Sequence, residues 1–286
     1  MKKLLILFLS VLLSNVIPCS AFHADQANHG FYTPGFKVNQ SNACPLQTDT
    51  NSGNDASQFT SANSEFLSRA SEAALQTGNI DFSVCGWVYI DSEGANRALI
   101  SKTASGGTGE YQLRYDTTSD QFYFYVGNNA PAQLDVYATT FGAVTTGTWY
   151  FVFAYFDAAA DQVGISVNNG TIDTDTTAAF TPTTNAEDFR IGAYFGPGGY
   201  WNGRQQSLGF AKSKLSASTV TSLYNAGGGK KWCQLTTAEQ ALFTGWWELG
   251  ESSGTRLDST TNDLDLTDNN TVTGADGVTT GACACQ

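Results

Sequence analysis

The amino-acid sequence predicts an all-β protein, a sandwich of two antiparallel sheets with one or two short helices near its C-terminus. Three observations carry this. Many brief segments alternate apolar and other residues with the two-residue period of a strand. Clusters of Gly, Asn and Asp separate those segments at short intervals, as in sandwiches and barrels. Aromatic residues make up 13% of the chain and it holds 29 glycines, against only 14% charged residues, a composition of strands and tight turns rather than helices.

The chain opens on Met1, Lys2 and Lys3, then runs apolar over 4–17 with only Ser10, Ser14 and Asn15 interrupting. That is the charged and apolar pattern of a signal peptide over 1–21, with cleavage expected after Ala21. A lipid anchor at Cys19 is the rival reading, which Pro18 directly before it fits poorly. Export implies a secreted protein: extracellular, periplasmic or on the cell surface. No later stretch reaches the ~18 consecutive apolar residues of a membrane helix. Residues 22–57 form a polar extension without sustained period, and 58–286 are expected to form the folded body.

In that body, 81–91 places Phe82, Val84, Val88 and Ile90 on one face and Cys85, Trp87 and Tyr89 on the other. Apolar groups on both faces predict a central strand covered on both sides. Further strands are expected at 98–101, 110–115, 121–126, 134–139, 148–156, 162–167, 189–193 and 201–211. A short helix is expected over 217–224, capped near Ser216 or Ser218 and stopped by Asn225 and the glycines at 227–229. Thr236 with Glu239 makes a capping box for a second helix over 236–243.

Removing Lys2 and Lys3 leaves 12 basic residues against 26 acidic ones, a net charge of about −14 that disfavours nucleic acid and anionic membranes as partners. The two histidines, His23 and His29, lie in the polar extension. A histidine-based triad or a His-ligated zinc in the body is therefore excluded. Of the cysteines, Cys44, Cys85, Cys233, Cys283 and Cys285 survive cleavage, and an odd number leaves one thiol unpaired or intermolecular. Cys283 and Cys285 stand too close for an easy mutual bridge, so each is expected to seek a distant partner, Cys44 being a candidate for one.

Several stretches in order resemble the concanavalin-A-like lectin/glucanase superfamily in its laminin-G-like form. They are FLSRAS at 66–71, DFSVCGWVY at 81–89, LISK at 99–102, TWYFVFAYFD at 148–157, ISVNNG at 165–170, FRIGAY at 189–194, YWNGRQQSLGFAKSKLS at 200–216 and LYNAGGG at 223–229. The resemblance implies a jelly roll with a concave face or loop rim open to ligands. A second block, 246–272, resembles what usually opens such a domain. Here it follows the helices, so it either completes the sandwich as a circular permutation or is the stub of a second repeat. Completion is favoured, since an orphan strand would leave Trp246 and Trp247 in water, at ~1.5–3 kcal/mol each.

The superfamily includes glycoside hydrolases with a strand motif E-x-D-x-x-E or E-x-D-x-E. The nearest match, Glu248-Leu249-Gly250-Glu251, lacks the central Asp and runs into a turn, so no catalytic residue is assigned and no enzyme is expected. Calcium is the candidate cofactor, through Asp157 and Asp161. Gln205-Gln206 stand where the resembling pattern often has an Asp after N-G-R. The run Asp258, Asp263, Asp265, Asp268 lacks the EF-hand glycine and glutamate, and ordinary turn chemistry explains all these acids simply. Asn39, Asn169 and Asn269 fit the glycosylation pattern, which matters only in a host that glycosylates.

For sugar binding, an exposed ring beside polar groups is needed. Tyr194 and Tyr200 in the loop 194–200 offer it, as do Asn128 and Asn129 in 127–130, whereas Trp201 reads as core. The function expected is a secreted, non-catalytic recognition module for carbohydrate or a glycosylated partner. A structural or adhesive envelope protein and a glycan hydrolase with an unrecognised site are the alternatives; the oligomeric state stays open.

Overall fold

A computed structural model describes residues 55–104, 109–128, 133–195 and 199–278, all within a unit formed by 48–283. The expected signal peptide, both histidines, Asn39, Cys44, Asn129, Cys283 and Cys285 lie outside the described residues. In chain order the strands begin with β1 (Ala56–Phe59), β2 (Phe66–Arg69), β3 (Phe82–Ile90), β4 (Arg97–Thr103), β5 (Gly109–Asp116), β6 (Gln121–Gly127) and β7 (Gln133–Tyr137). Next come β8 (Trp149–Asp157), β9 (Gln162–Val167), β10 (Asp173–Thr176), β11 (Phe189–Ile191) and β12 (Gly203–Ala211). Helices α1 (Ala217–Tyr224) and α2 (Thr237–Gln240) follow, then β13 (Gly245–Trp247), β14 (Thr267–Asn269) and β15 (Thr273–Ala275).

These strands form two antiparallel sheets, the sandwich that the sequence predicts. The first runs β10-β9-β8-β3-β12-β1-β15 with β13 also paired to β12, and the second runs β14-β2-β11-β4-β5-β6-β7. Between them, Phe82, Val84, Val88 and Ile90 of β3 share a core with Tyr111 and Leu113 of β5 and Phe122, Phe124 and Val126 of β6. The opposite set of β3, Cys85 and Trp87, joins Phe151, Phe153 and Tyr155 of β8 in a second apolar cluster. That cluster is roofed by Val220 and Leu223 of α1 with Leu215, Leu235, Phe243 and Trp246. Both faces of β3 are thus covered, which is why its sequence is apolar on both sides.

Ser216 caps α1, its hydroxyl accepting the Thr219 N–H, and Asn225 ends it in the left-handed region at φ 48°. The Thr236/Glu239 capping box forms, but α2 stops at Gln240 rather than running to 243. Leu242 and Phe243 bond back three residues instead of four, and the Thr244 N–H joins β12 through the Phe210 carbonyl. The turn tightens because Phe243 must reach Trp246, whose ring lies 4.8 Å away edge-on. A second difference lies at the start of the body. Ala56 and Ser57, read as the end of a polar extension, are fully buried in β1, where Ser57 takes the Arg256 Nε–H at 2.8 Å. Strands from the 246–272 block enter both sheets, β13 on β12 and β14 on β2.

Cys85 is a free, buried thiol, so it drops out of the disulfide candidates. Burial pushes its pKa up to about 12, and a thiol kept protonated is inert. Ellman's reagent at pH 8 is expected to titrate the same number of thiols in native wild type and Cys85→Ser, and one fewer for the variant in denaturant. A difference in the native titration would mean that this side of the sandwich opens. Cys233 is disulfide-bonded in the structure.

Candidate ligand-binding face

Helix α1 and its neighbours roof the middle of the first sheet's outer face, and among the described residues the outer face of the second sheet carries two cavities. Alternation decides what it presents. On β5, Tyr111, Leu113 and Tyr115 go to the core, leaving Gln112 and Arg114 outside. On β6, Phe122, Phe124 and Val126 go inward, leaving Tyr123 and Tyr125. Cross-strand register aligns Arg190 with Ser101, Ser101 with Gln112, Gln112 with Tyr125 and Tyr125 with Asp135. A parallel row sets Arg114 opposite Tyr123 and Tyr123 opposite Tyr137.

A cavity of about 350 Å³ opens here, lined by Thr103, Ala104, Gln112, Arg114, Tyr123, Tyr125, Gln133, Tyr194 and Phe195. A smaller one of about 160 Å³ adjoins it, sharing Tyr194 and Phe195 and adding Phe66, Arg190, Ala193 and Tyr200. The segment after β11 makes the wall between them. Its Ala193 carbonyl accepts from the Ser101 hydroxyl at 2.7 Å, and its Phe195 N–H donates to the Thr103 hydroxyl at 3.1 Å. Gly199 returns the chain with φ +65°, and a Cβ there would stand 1.8 Å from the Tyr194 ring. Only glycine meets both demands. The Arg97 guanidinium then holds the Tyr200 carbonyl at 2.9 Å.

The polar groups are held rigidly and not all are satisfied. Arg114 lies 4.5 Å over the Tyr123 ring, gives Nη2 to Asp116 at 2.9 Å and Nη1 to Gln112 at 3.4 Å. Its buried Nε has no hydrogen-bond partner. Arg190 lies 5.7 Å over the Phe195 ring and gives Nη2 to Asp188 at 3.2 Å. Its Nη1 is likewise buried and without a partner. The Tyr123 hydroxyl accepts from Gln133 at 2.6 Å. Burial holds both tyrosines protonated: Tyr125 is pushed up to about 12 and Tyr123 is raised further. Burial, with Asp175 nearby, also raises Asp135. The tyrosine hydroxyls are therefore neutral donors and acceptors at physiological pH.

Of the residues singled out from sequence, Tyr194 lines both cavities and Tyr200 the smaller, its ring 6.1 Å from Phe66. Trp201 is fully buried in the main core, its indole N–H on the Tyr89 carbonyl at 3.2 Å. Asn128 directly follows β6 and lines neither cavity; Asn129 lies outside the described residues. Sequence reasoning missed Arg114, Tyr123, Tyr125, Gln112, Gln133, Arg190 and Phe195. The available signal was the Gln112 and Arg114 pair alternating with Tyr111, Leu113 and Tyr115.

Asp157 and Asp161 do not fit a calcium site. Asp157 takes Lys214 at 2.8 Å on Oδ2 and the Ala159 and Ala160 N–H groups on Oδ1, and Lys214 holds its carboxyl below the usual range. Asp161 sits at φ 48° and takes the Ala179 N–H at 2.8 Å. Both carboxylates are spent on turns, and no group of three or more His, Cys, Asp or Glu gathers among the described residues. Asp258, Asp265 and Asp268 likewise accept backbone N–H groups, from Trp246, Asp258 and Val272. Added calcium or EDTA is expected to leave the melting temperature unchanged; a calcium-dependent rise would reinstate a cation site. Glu248 accepts from the Trp246 indole at 2.8 Å, the Ser207 hydroxyl at 3.2 Å and the Trp232 N–H, so it anchors the roof of the first sheet.

Fold and face together define a jelly-roll sandwich whose open sheet carries an aromatic and polar cavity. The chain belongs to the concanavalin A-like lectin/glucanases superfamily, whose Laminin_G_3 model matches residues 61–221, more than half of its length. The chain has no match among curated proteins. Among solved structures, a Bacteroides ovatus ATCC 8483 protein to which carbohydrate binding is attributed by inference shares the fold at 16% identity. The TM-score is 0.58 over 78% of this chain, which spans 60% of that protein. The CBM40 of a Ruminococcus gnavus IT-sialidase (12% identity, TM-score 0.45) aligns over 59% of this chain and 95% of its own. A heptameric SAP-like pentraxin from Limulus polyphemus (12% identity, TM-score 0.41) aligns over 58% and 82%. The last two overlay too loosely to carry an argument.

Proposed function

We propose that this protein is a secreted, non-catalytic recognition module that binds carbohydrate, free or on a glycosylated partner, through the outer face of its second sheet. The observation that carries this reading is the larger cavity, where the rings of Tyr123, Tyr125, Tyr194 and Phe195 stand beside the polar side chains of Gln112, Arg114 and Gln133. A sugar presents an apolar C–H face to rings and oxygens to such side chains. The cavity volume falls at the small end of ligand pockets. The B. ovatus neighbour supports the fold that such a module uses. Secretion rests on the charged and apolar pattern of 1–21. The non-catalytic role rests on Glu248, the nearest carboxylate to a hydrolase motif, being bonded away from the cavity.

A glycan array run with and without EDTA tests the reading. A glycan signal that survives EDTA is expected, and Arg114→Ala should weaken it by about tenfold or more, as loss of a charged hydrogen-bond donor does. An array silent in both conditions would overturn it. Non-reducing gels that show disulfide-linked assemblies, together with that silence, would favour a structural or adhesive protein.

A further inference from the structure

The two guanidinium groups of the candidate face share one construction, one in each cavity. Each lies over an aromatic ring, Arg114 over Tyr123 and Arg190 over Phe195. Each is paired with a carboxylate two residues away on its own chain segment, Asp116 and Asp188. Each also keeps one buried N–H without an acceptor. We infer that the face reads an uncharged oligosaccharide of at least two rings, one ring in each cavity, with Tyr194 and Phe195 forming the step between them. This rests on the carbohydrate reading above.

Length follows from register. Arg190 is opposite Ser101 and Ser101 opposite Gln112, and Arg114 is two residues further along β5. Two strand spacings across and two residues along put the two Cα atoms on the order of 12 Å apart. One sugar ring cannot fill both cavities, which place Arg114 in one and Arg190 in the other. The wall between them is narrow, because Tyr194 and Phe195 line both sides. A glycosidic linkage crosses it, and the two rings lie on either side.

Charge follows from the ion pairs. Asp116 and Asp188 neutralise the two guanidinium groups, and Asp135 adds a carboxylate in register with Tyr125. The whole chain carries a formal charge of −12. A uronate or sialate carboxyl therefore meets no net attraction on this face. A hydroxyl, ring or acetamido oxygen still meets neutral donors and acceptors, since Gln112, Tyr123, Tyr125 and Gln133 line the larger cavity, and these reward a partner that carries no charge.

Calorimetry on the intact folded protein tests this with xylo-, cello-, manno- and galacto-oligosaccharides from one ring to six, and with oligogalacturonides of the same lengths. At least one neutral series is expected to bind, gaining about tenfold or more in affinity between one ring and three. Galacturonides are expected to bind more weakly than galactose oligomers of equal length. Arg190→Gln, with Arg190→Lys as a second variant that keeps the charge but not the planar fork, should bring the ratio of trisaccharide to monosaccharide affinity towards one. Melting curves confirm that each variant is folded. Neutral binding that does not grow with length, tighter binding of galacturonides, or a ratio unmoved by both substitutions overturns the inference and leaves the carbohydrate reading standing. No binding in any series overturns both.

Discussion

Glu110→Leu is expected to destabilise the protein by about 3–5 kcal/mol, the cost of breaking a fully buried ion pair from one side. Glu110 and Lys102 are both fully buried and 3.1 Å apart. Glu110 Oε1 accepts from the Thr77 backbone N–H and its hydroxyl at 3.0 Å and from the Gly78 N–H at 3.3 Å. Its Oε2 accepts the Asn185 N–H at 3.2 Å. Lys102 donates to the Asn185 carbonyl at 2.6 Å and to its side-chain oxygen at 2.8 Å. The pair thus ties the turns around residues 77 and 185 to β4 and β5. The attraction itself contributes little beyond its desolvation cost. The expected loss arises because leucine leaves a buried ammonium without its counter-ion and three backbone N–H groups without their acceptor. A Lys102→Met/Glu110→Leu double variant should accordingly recover part of the loss. Urea unfolding measures both, and a single-variant loss below about 1 kcal/mol would overturn this account.

The strands that the sequence displays are those whose apolar pattern does not depend on their neighbours. Over 81–91 the alternation with Trp87 and Cys85 opposite Val84 and Val88 requires cover on both faces, and α1 with Phe243 and Trp246 provides it. The short edges were less visible for a physical reason. Residues 173–176 read Asp-Thr-Asp-Thr and are nearly all exposed, so β10 forms because β9 offers it a ladder and not through burial. β1, β14 and β15 are equally brief, and their register is set by partners more than 100 residues away. A chain window cannot contain that information.

The candidate face was half visible. Tyr194 and Tyr200 stand out because glycines and a proline surround them, and the fold puts both at the cavities. Tyr123 and Tyr125 do not stand out, since Phe122, Phe124 and Val126 make the same strand apolar on its other side and periodicity alone cannot say which set faces inward. Choosing between them requires knowing which sheet α1 and Trp246 roof. That is a tertiary fact. The acids at 157 and 161 are a different case: oxygen donors near a turn suggest calcium, and the structure shows Lys214 and three backbone N–H groups bonded to them.

Trp247→Ala is expected to cost about 3–5 kcal/mol, the range for truncating a large core aromatic. Its ring is fully buried and stacks on Phe189 of the second sheet, with centroids 5.1 Å apart and planes at 28°. Its indole N–H donates to the Leu264 carbonyl at 2.8 Å, and its backbone pairs with Leu208 in β12. One side chain thus joins the first sheet, the second sheet and the C-terminal turn. Trp232, which is only half-buried and packs 6.0 Å from Trp246, is the control; its replacement by alanine should cost clearly less. A substantial loss for Trp247 and a small one for Trp232, with a single cooperative transition in both, is what a block built into the sandwich requires. If Trp247→Ala instead unfolded as a separate early step while the rest melted unchanged, the block would be an appendage, and the pairing of β13 with β12 would not hold the core together.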